Sequence, residues 1–189
     1  NIQTDIDFMV GLEADLVQFM LLTPLPVTAL YQDHKRRGLL RDDLPFEEWH
    51  GQKYLTFRHP EFPGNSAEKW IMAAFRQDYE VNSSSMCRVV ETVFRGYRRL
   101  AALPQRDACL EFRLVELMCR TLEFAGVLPL VRKYAVNEIE RQRAIALDRE
   151  IADLLGKPSA KERLRRIVIL ALAMCWKLRC HFFGDAIQP

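Results

Sequence analysis

The chain has 189 residues, 49% of them hydrophobic and 28% charged, which is enough apolar material for one sizeable core or two small ones and too much for a disordered segment. Its 27 basic and 25 acidic residues leave a formal charge of +2, so no global field selects nucleic acid or an anionic membrane as partner. Function has to come from local sites.

The sequence opens Asn1-Ile2-Gln3-Thr4, with neither an initiator methionine nor a charged segment leading into an apolar one, and it reads as a piece of a longer polypeptide. Thr4 to Leu12 predicts a helix capped by Thr4, with Asp5 and Asp7 in its first turn and Gly11 near its stop. Asp15 to Leu22 is nearly continuous apolar sequence around Gln18 and predicts a strand buried on both faces, as in a parallel sheet. Pro24 and Pro26 end it, and Thr28 opens a helix that stops at Gly38. A lone helix–strand–helix unit cannot cover both faces of its strand, which points to a sheet continued elsewhere.

The connector that follows contains Pro45, Pro60, Pro63 and Gly64, with a possible short strand at Lys53 to Phe57 and the aromatics Trp49, Tyr54 and Phe57 beside His50 and His59. From Ser66 onward the pattern is helical. Between Ser84 and Ala101 the residues Met86, Val89, Val90, Val93, Phe94 and Tyr97 recur at helical spacing, opposite a face of Arg88, Glu91, Arg95, Arg98 and Arg99 expected to be solvated. Further helices are predicted at Arg106 to Phe124, Pro129 to Leu155 and Ser159 to Phe183; the first is apolar nearly all round and is expected to be central. The fold class expected is α+β, mostly α: an α/β unit over residues 1–40, an irregular aromatic-rich connector over 41–65 and a helical C-terminal domain over 66–189.

Five cysteines, Cys87, Cys109, Cys119, Cys175 and Cys180, form an odd set without a CxxC pair, so neither a disulfide framework nor a metal site is written in this chain. Reduced thiols and a cytoplasmic setting are the expectation. The longest apolar stretch, Ile167 to Trp176, is about half of the roughly 20 residues a membrane span needs and predicts a buried core helix instead. GxSxG, HExxH, phosphate-loop and dinucleotide glycine patterns are missing.

DLVQFMLLTPLPVTALY, residues 15–31, resembles the last barrel strand and following loop of cobalamin-binding radical S-adenosylmethionine enzymes, usually written TPLPGTPLY. WHGQ at 49–52, FRHPEF at 57–62 and AFRQDYEVN at 74–82 are similar to blocks of the subgroup with a long C-terminal extension, in the same order. Val27 stands where that family usually has Gly, Ala29 where it has Pro, and Ser83-Ser84 replaces a common Gly-Pro. Glycine tolerates positive φ, and valine does not do so readily.

The resemblance implies that residues 1–40 are the last unit of a partial radical S-adenosylmethionine barrel. The partners it implies are missing N-terminal cobalamin and radical domains. There an upstream CxxxCxxC motif would hold a [4Fe–4S] cluster that cleaves S-adenosylmethionine, for methyl transfer or related radical chemistry. This chain alone is expected to bind none of these cofactors and to be inactive. Gln18, Leu22, Thr23, Pro24 and Leu25 would lie near the cofactor or substrate end of the barrel, where α/β barrels build sites.

His50, His59 and Tyr79, with Asp78 and Glu80, are the candidates for contact with a small-molecule or lipid-like substrate or for acid–base work. The competing expectation is a non-catalytic helical module for ligand binding or protein interaction. A nucleic-acid binder using Arg95, Arg98, Arg99 and the Lys161 to Arg166 run is disfavoured, because acidic residues interleave too evenly.

Overall fold

The computed structural model describes residues 1–184, so the last five residues of the predicted C-terminal domain lie outside it. Eight α-helices account for most of the described chain: α1 (Ile2–Gly11), α2 (Ala29–Arg36), α3 (Ser66–Asn82), α4 (Ser85–Ala101), α5 (Ala108–Phe124), α6 (Leu128–Tyr134), α7 (Glu138–Leu155) and α8 (Ala160–Phe183). Local chemistry sets most of these starts. Thr28, Ser84, Asp107, Asn137 and Ser159 each accept a first-turn amide on a side-chain oxygen, and Ser159 and Glu162 complete a reciprocal capping box. The first helix is capped by Asn1 rather than Thr4.

The largest core lies between α4, α6 and α7. Cys87, Val90 and Phe94 on α4 are spaced for one helical face and meet Ala125, Leu128 and Val131, with Ala144, Leu147 and Ile151 of α7 closing the other side. A smaller core of Leu40, Leu55, Phe57 and Ala67 seats the connector on α3, and a third, of Ile6, Val10 and Ala74, seats α1 on the same helix. Helix α3 therefore joins the N-terminal segments to the bundle.

A buried ion pair reinforces that junction. The guanidinium of Arg88 on α4 donates to both carboxylate oxygens of Asp78 on α3 (3.0 and 2.8 Å). Asn82 donates to Asp78 Oδ1 (2.9 Å) and to the Val10 carbonyl (2.8 Å), while Arg88 Nε reaches the Asp15 carbonyl (3.3 Å). Both charged groups thus have all their polar atoms partnered, which makes burial of two charges tolerable.

Several expectations are corrected. No β-ladder forms at residues 15–22 among the described residues; two isolated antiparallel bridges, Leu40 with Phe57 and His59 with Phe62, are the extended pairings present. Side chains from Leu16 to Thr23 nevertheless alternate strictly between exposed and half-buried, the period of an extended chain. Its outward face is apolar, with Leu16 73%, Met20 57% and Leu22 61% exposed, so only one of the two expected burials is realised. The segment has apolar residues on both faces, but neighbouring elements cover only one.

The predicted helix over 129–155 is two helices, because Asn137 caps a new start and Glu140 accepts from the Val136 amide (3.0 Å). Arg88, expected on the solvated face, is buried because Asp78 draws it inward. Helix α5 is not central: among its residues Thr121 alone is buried, since its main neighbour, α4, covers one side of an all-round apolar surface. Helix α8 buries no residue, so the predicted core helix at Ile167 to Trp176 lies on the outside. No described helix is long and apolar enough to cross a membrane.

Candidate functional site

The connector doubles back on itself before entering α3. Gly38 takes a left-handed φ of +63°, after which Arg41 N–H donates to Thr56 O (3.0 Å) and Arg58 N–H to Leu39 O (2.7 Å). This short pairing buries Leu55, Thr56 and Phe57 side by side, and the turn from His59 to Phe62 then delivers the chain to the first turn of α3. There Glu68 turns inward. Its Oε1 accepts from the Leu55 amide (3.0 Å) and lies 3.7 Å from the Arg41 guanidinium, which donates in turn to Asp43 (2.9 Å) and toward Leu55 O (3.4 Å).

These residues line an open cleft of about 870 Å³ whose walls include Arg41, Asp43, Tyr54, Arg58, His59 and Glu68. The Asp43 hydrogen bond raises the pKa of Arg41 above its already high value, and the guanidinium holds Asp43 below the usual carboxylate range. The other oxygen of Glu68, Oε2, is buried without a hydrogen-bond partner, as are Thr56 Oγ1 and Ser66 Oγ. Buried polar atoms are nearly always satisfied, so these three, one in the connector and two in the first turn of α3, are exceptions.

A second, apolar pocket of about 340 Å³ lies between α1, α3 and the extended segment, with Ile6, Phe19, Leu22, Trp70 and Ile71 in its walls. Leu55, Phe57, His59 and Phe62 line both cavities. The connector is thus a partition with a polar side and an apolar side.

The residues singled out in the sequence are only partly gathered here. His59 lines both cavities; its Nδ1 accepts from the Glu61 amide (3.2 Å), which leaves Nε2 to carry the proton of the neutral ring. Leu22 lines the apolar pocket. Gln18 points to solvent, Thr23 Oγ1 donates to Leu21 O (3.3 Å), Pro24 is buried and Leu25 is exposed, so these four do not converge with Leu22 on a cavity wall.

His50 is outside both cavities, with Nδ1 accepting from Gln52 N–H (3.1 Å) and Nε2 3.6 Å from Glu48. Tyr79 faces the bundle and donates to Tyr134 O (3.4 Å); burial, with the Glu140 carboxylate near, pushes its phenol up. Asp78 is committed to Arg88, and Glu80 is exposed. Arg41 and Glu68, which shape the cleft, were not singled out: an arginine in a connector and a glutamate in a helix's first turn look like ordinary surface residues.

Among the described residues no three His, Cys, Asp or Glu side chains are grouped as a metal-ligand set, and the cysteines are all free. They are dispersed over α4, α5 and α8, which does not fit the three-thiolate set that a [4Fe–4S] cluster requires. Comparison with protein-family models, with curated proteins and with solved structures returned no match.

Proposed function

We propose that this chain is the C-terminal part of a cobalamin-dependent radical S-adenosylmethionine enzyme, in which residues 16–23 pair with strands of an upstream barrel and the helices form a C-terminal extension. The observation that carries the reading is the extended segment itself. From Leu16 to Pro24 its single backbone–backbone hydrogen bond is Leu21 N–H to Gly51 O (2.7 Å), and its outward side chains are Leu16, Gln18, Met20 and Leu22. An apolar extended chain with open donors and acceptors has the character of a strand lacking its neighbours.

A second feature supports it. Val27 has a φ of +66°, a left-handed conformation that a β-branched residue rarely takes, at the position where the resembling family has glycine. In this reading the upstream domains hold the cluster, S-adenosylmethionine and cobalamin, which supply the radical chemistry. The present residues shape the far side of a small-molecule or lipid-like substrate's site, in a cytoplasmic protein.

The test is to read the coding frame upstream of Asn1, express the whole polypeptide and reconstitute it anaerobically with iron, sulfide and cobalamin. A barrel with CxxxCxxC upstream, and cleavage of S-adenosylmethionine to 5′-deoxyadenosine, is the expected result. A start codon just before Asn1, or a whole polypeptide that takes up no cluster, would sink it.

The second reading, a helical ligand-binding module, is favoured by the cleft, since Arg41, Glu68 and the His59 turn build it entirely from this chain. Hydrogen exchange separates the two: amides of residues 17–23 exchange slowly in the whole polypeptide if they join a sheet, and fast if they do not.

A further inference from the structure

We infer that the outward face of α8 docks on an anionic lipid bilayer, with the helix lying in the plane of the headgroups. The inference concerns α8 alone and does not rest on a barrel upstream.

Three observations carry it. First, α8 is apolar on the side turned away from the bundle. Leu164, Val168, Ala171, Cys175, Leu178 and Phe182 follow one another at intervals of four and three residues, which makes one stripe along a helix, and all six are exposed. The bundle is met from the opposite side: Arg166 pairs with Asp148 of α7, Ile169 lies beside Gly126, and both are half-buried. Ile167 and Leu172, 63% and 65% exposed, widen the stripe at its two edges. From Leu164 to Phe182 it is about 27 Å long at 1.5 Å per residue.

Second, charge that the nearly neutral chain lacks as a whole is concentrated here: α8 has six basic residues and one acidic residue, Glu162, which is held by the Ser159 amide (2.6 Å). Arg165 and Arg166 face Glu123 and Asp148. Lys161 and Arg163 at one end of the stripe and Arg179 near the other are exposed and have no carboxylate partner among the described residues; Lys177, beside the Tyr134 ring, is a fourth such cation nearer the bundle. Long basic side chains can reach headgroup phosphates while the apolar stripe between them enters the acyl boundary.

Third, the breadth and charge of the face fit a bilayer better than a helix. The apolar arc from Ile167 to Leu172 covers about 140° of the helix circumference, wider than the narrow seam that a single partner helix reads. A second copy of α8 would bring cations against cations in either orientation, with no free carboxylate on the helix to offset them. Trp176 and Phe182 add partly exposed aromatic rings toward the C-terminal end, the residue type that bilayer interfaces favour. Because no described helix can cross a membrane, α8 lies flat on it.

The experiment is co-sedimentation of the 189-residue chain with vesicles of phosphatidylcholine alone and of phosphatidylcholine with about one-quarter phosphatidylglycerol, with tryptophan emission read in parallel. Binding to the anionic vesicles is expected to be about a hundredfold tighter, roughly fivefold for each of three cations, and to weaken as salt is raised. K161Q/R179Q should lose about twentyfold on the anionic vesicles. L172S/F182S removes only exposed side chains, so its circular dichroism should be unchanged while its affinity falls about a hundredfold. Emission should shift to the blue on binding, and W176F should abolish the shift although Trp49 and Trp70 remain.

Equal binding to both vesicles, a folded L172S/F182S that keeps its affinity, or a blue shift that survives in W176F would each overturn the proposal. A lipid-free dimer in light scattering that L172S/F182S converts to monomer would assign the face to a second copy instead and would also overturn it.

Discussion

Replacing Asp78 by Asn leaves the shape of the α3–α4 junction almost unchanged but strands a buried guanidinium. Arg88 would keep Ser85 Oγ and the Asp15 carbonyl as acceptors and lose both charged contacts of 2.8 and 3.0 Å. Breaking a buried pair in this one-sided way costs about 3–5 kcal/mol, against a total stability of about 5–15 kcal/mol for a domain. In urea unfolding followed by circular dichroism at pH 7, the midpoint of D78N should fall by about 2 M.

The pH dependence has a definite sign. Burial opposes ionisation of Asp78, but the hydrogen bonds from Arg88 and Asn82, together with the guanidinium charge, outweigh it and hold the carboxyl below its ordinary range. A depressed folded-state value stabilises the fold above the unfolded value of about 3.9, and that contribution is lost as pH falls through the folded value. The native chain should therefore destabilise more steeply below about pH 4 than D78N does. The double variant D78L/R88M, which removes both charges, should recover most of the loss. A D78N midpoint within about 0.5 M of the native one, or an identical acid limb, would refute this account of the junction.

Val27 is 92% exposed and held at φ +66°, so Val27→Gly sacrifices no packing. Relief of about 1–2 kcal/mol of left-handed strain, less about 0.5–1 kcal/mol of glycine chain entropy, should raise stability slightly in the same urea assay. Gly51 has φ +73°, and a Cβ there would lie 2.6 Å from Leu21 O and 2.9 Å from Thr23 Oγ1. Gly51→Ala should cost about 1–3 kcal/mol, and its fast-exchanging amides should cluster at residues 20–23. Thiol labelling of the native chain should mark Cys109, Cys119 and Cys175 quickly. Cys87, which is fully buried and whose thiol is pushed up by that burial, should react only on unfolding.

The helical half of the molecule was largely legible, because caps and periodicity are local. Thr28, Ser84 and Ser159 mark true starts, and of the predicted α4 stripe Val90 and Phe94 are buried, Val89, Val93 and Tyr97 half-buried and Met86 exposed, the buried face being turned toward Cys87. The division at Asn137 was also written, as Asn137-x-x-Glu140, but the surrounding charge pattern reads equally well as one long exposed helix. Burial was less legible. Helices α5 and α8 have the apolar content of core helices and are mostly uncovered, because coverage depends on how many neighbours reach a face and not on the face alone.

The cleft was the least legible part. Arg41 and Glu68 are separated by the whole connector, and only the pairing of residues 39–41 with 56–58 brings them within 3.7 Å. His59 could be picked out as a histidine among aromatics, whereas His50, picked out by the same reasoning directly after Pro-Phe-Glu-Glu-Trp, faces solvent.

Glu140 accepts from the Val136 amide at the corner between α6 and α7 and from the Ser84 amide at the corner between α3 and α4, both at 3.0 Å. The second contact closes a loop of 56 residues, whose entropy cost grows with the logarithm of its length. Such a contact becomes favourable only after the intervening helices have packed and brought its ends together. Glu140 then acts as a latch that engages when the bundle has reached its native register, so an incorrectly packed chain leaves a carboxylate in an apolar setting and is penalised for it.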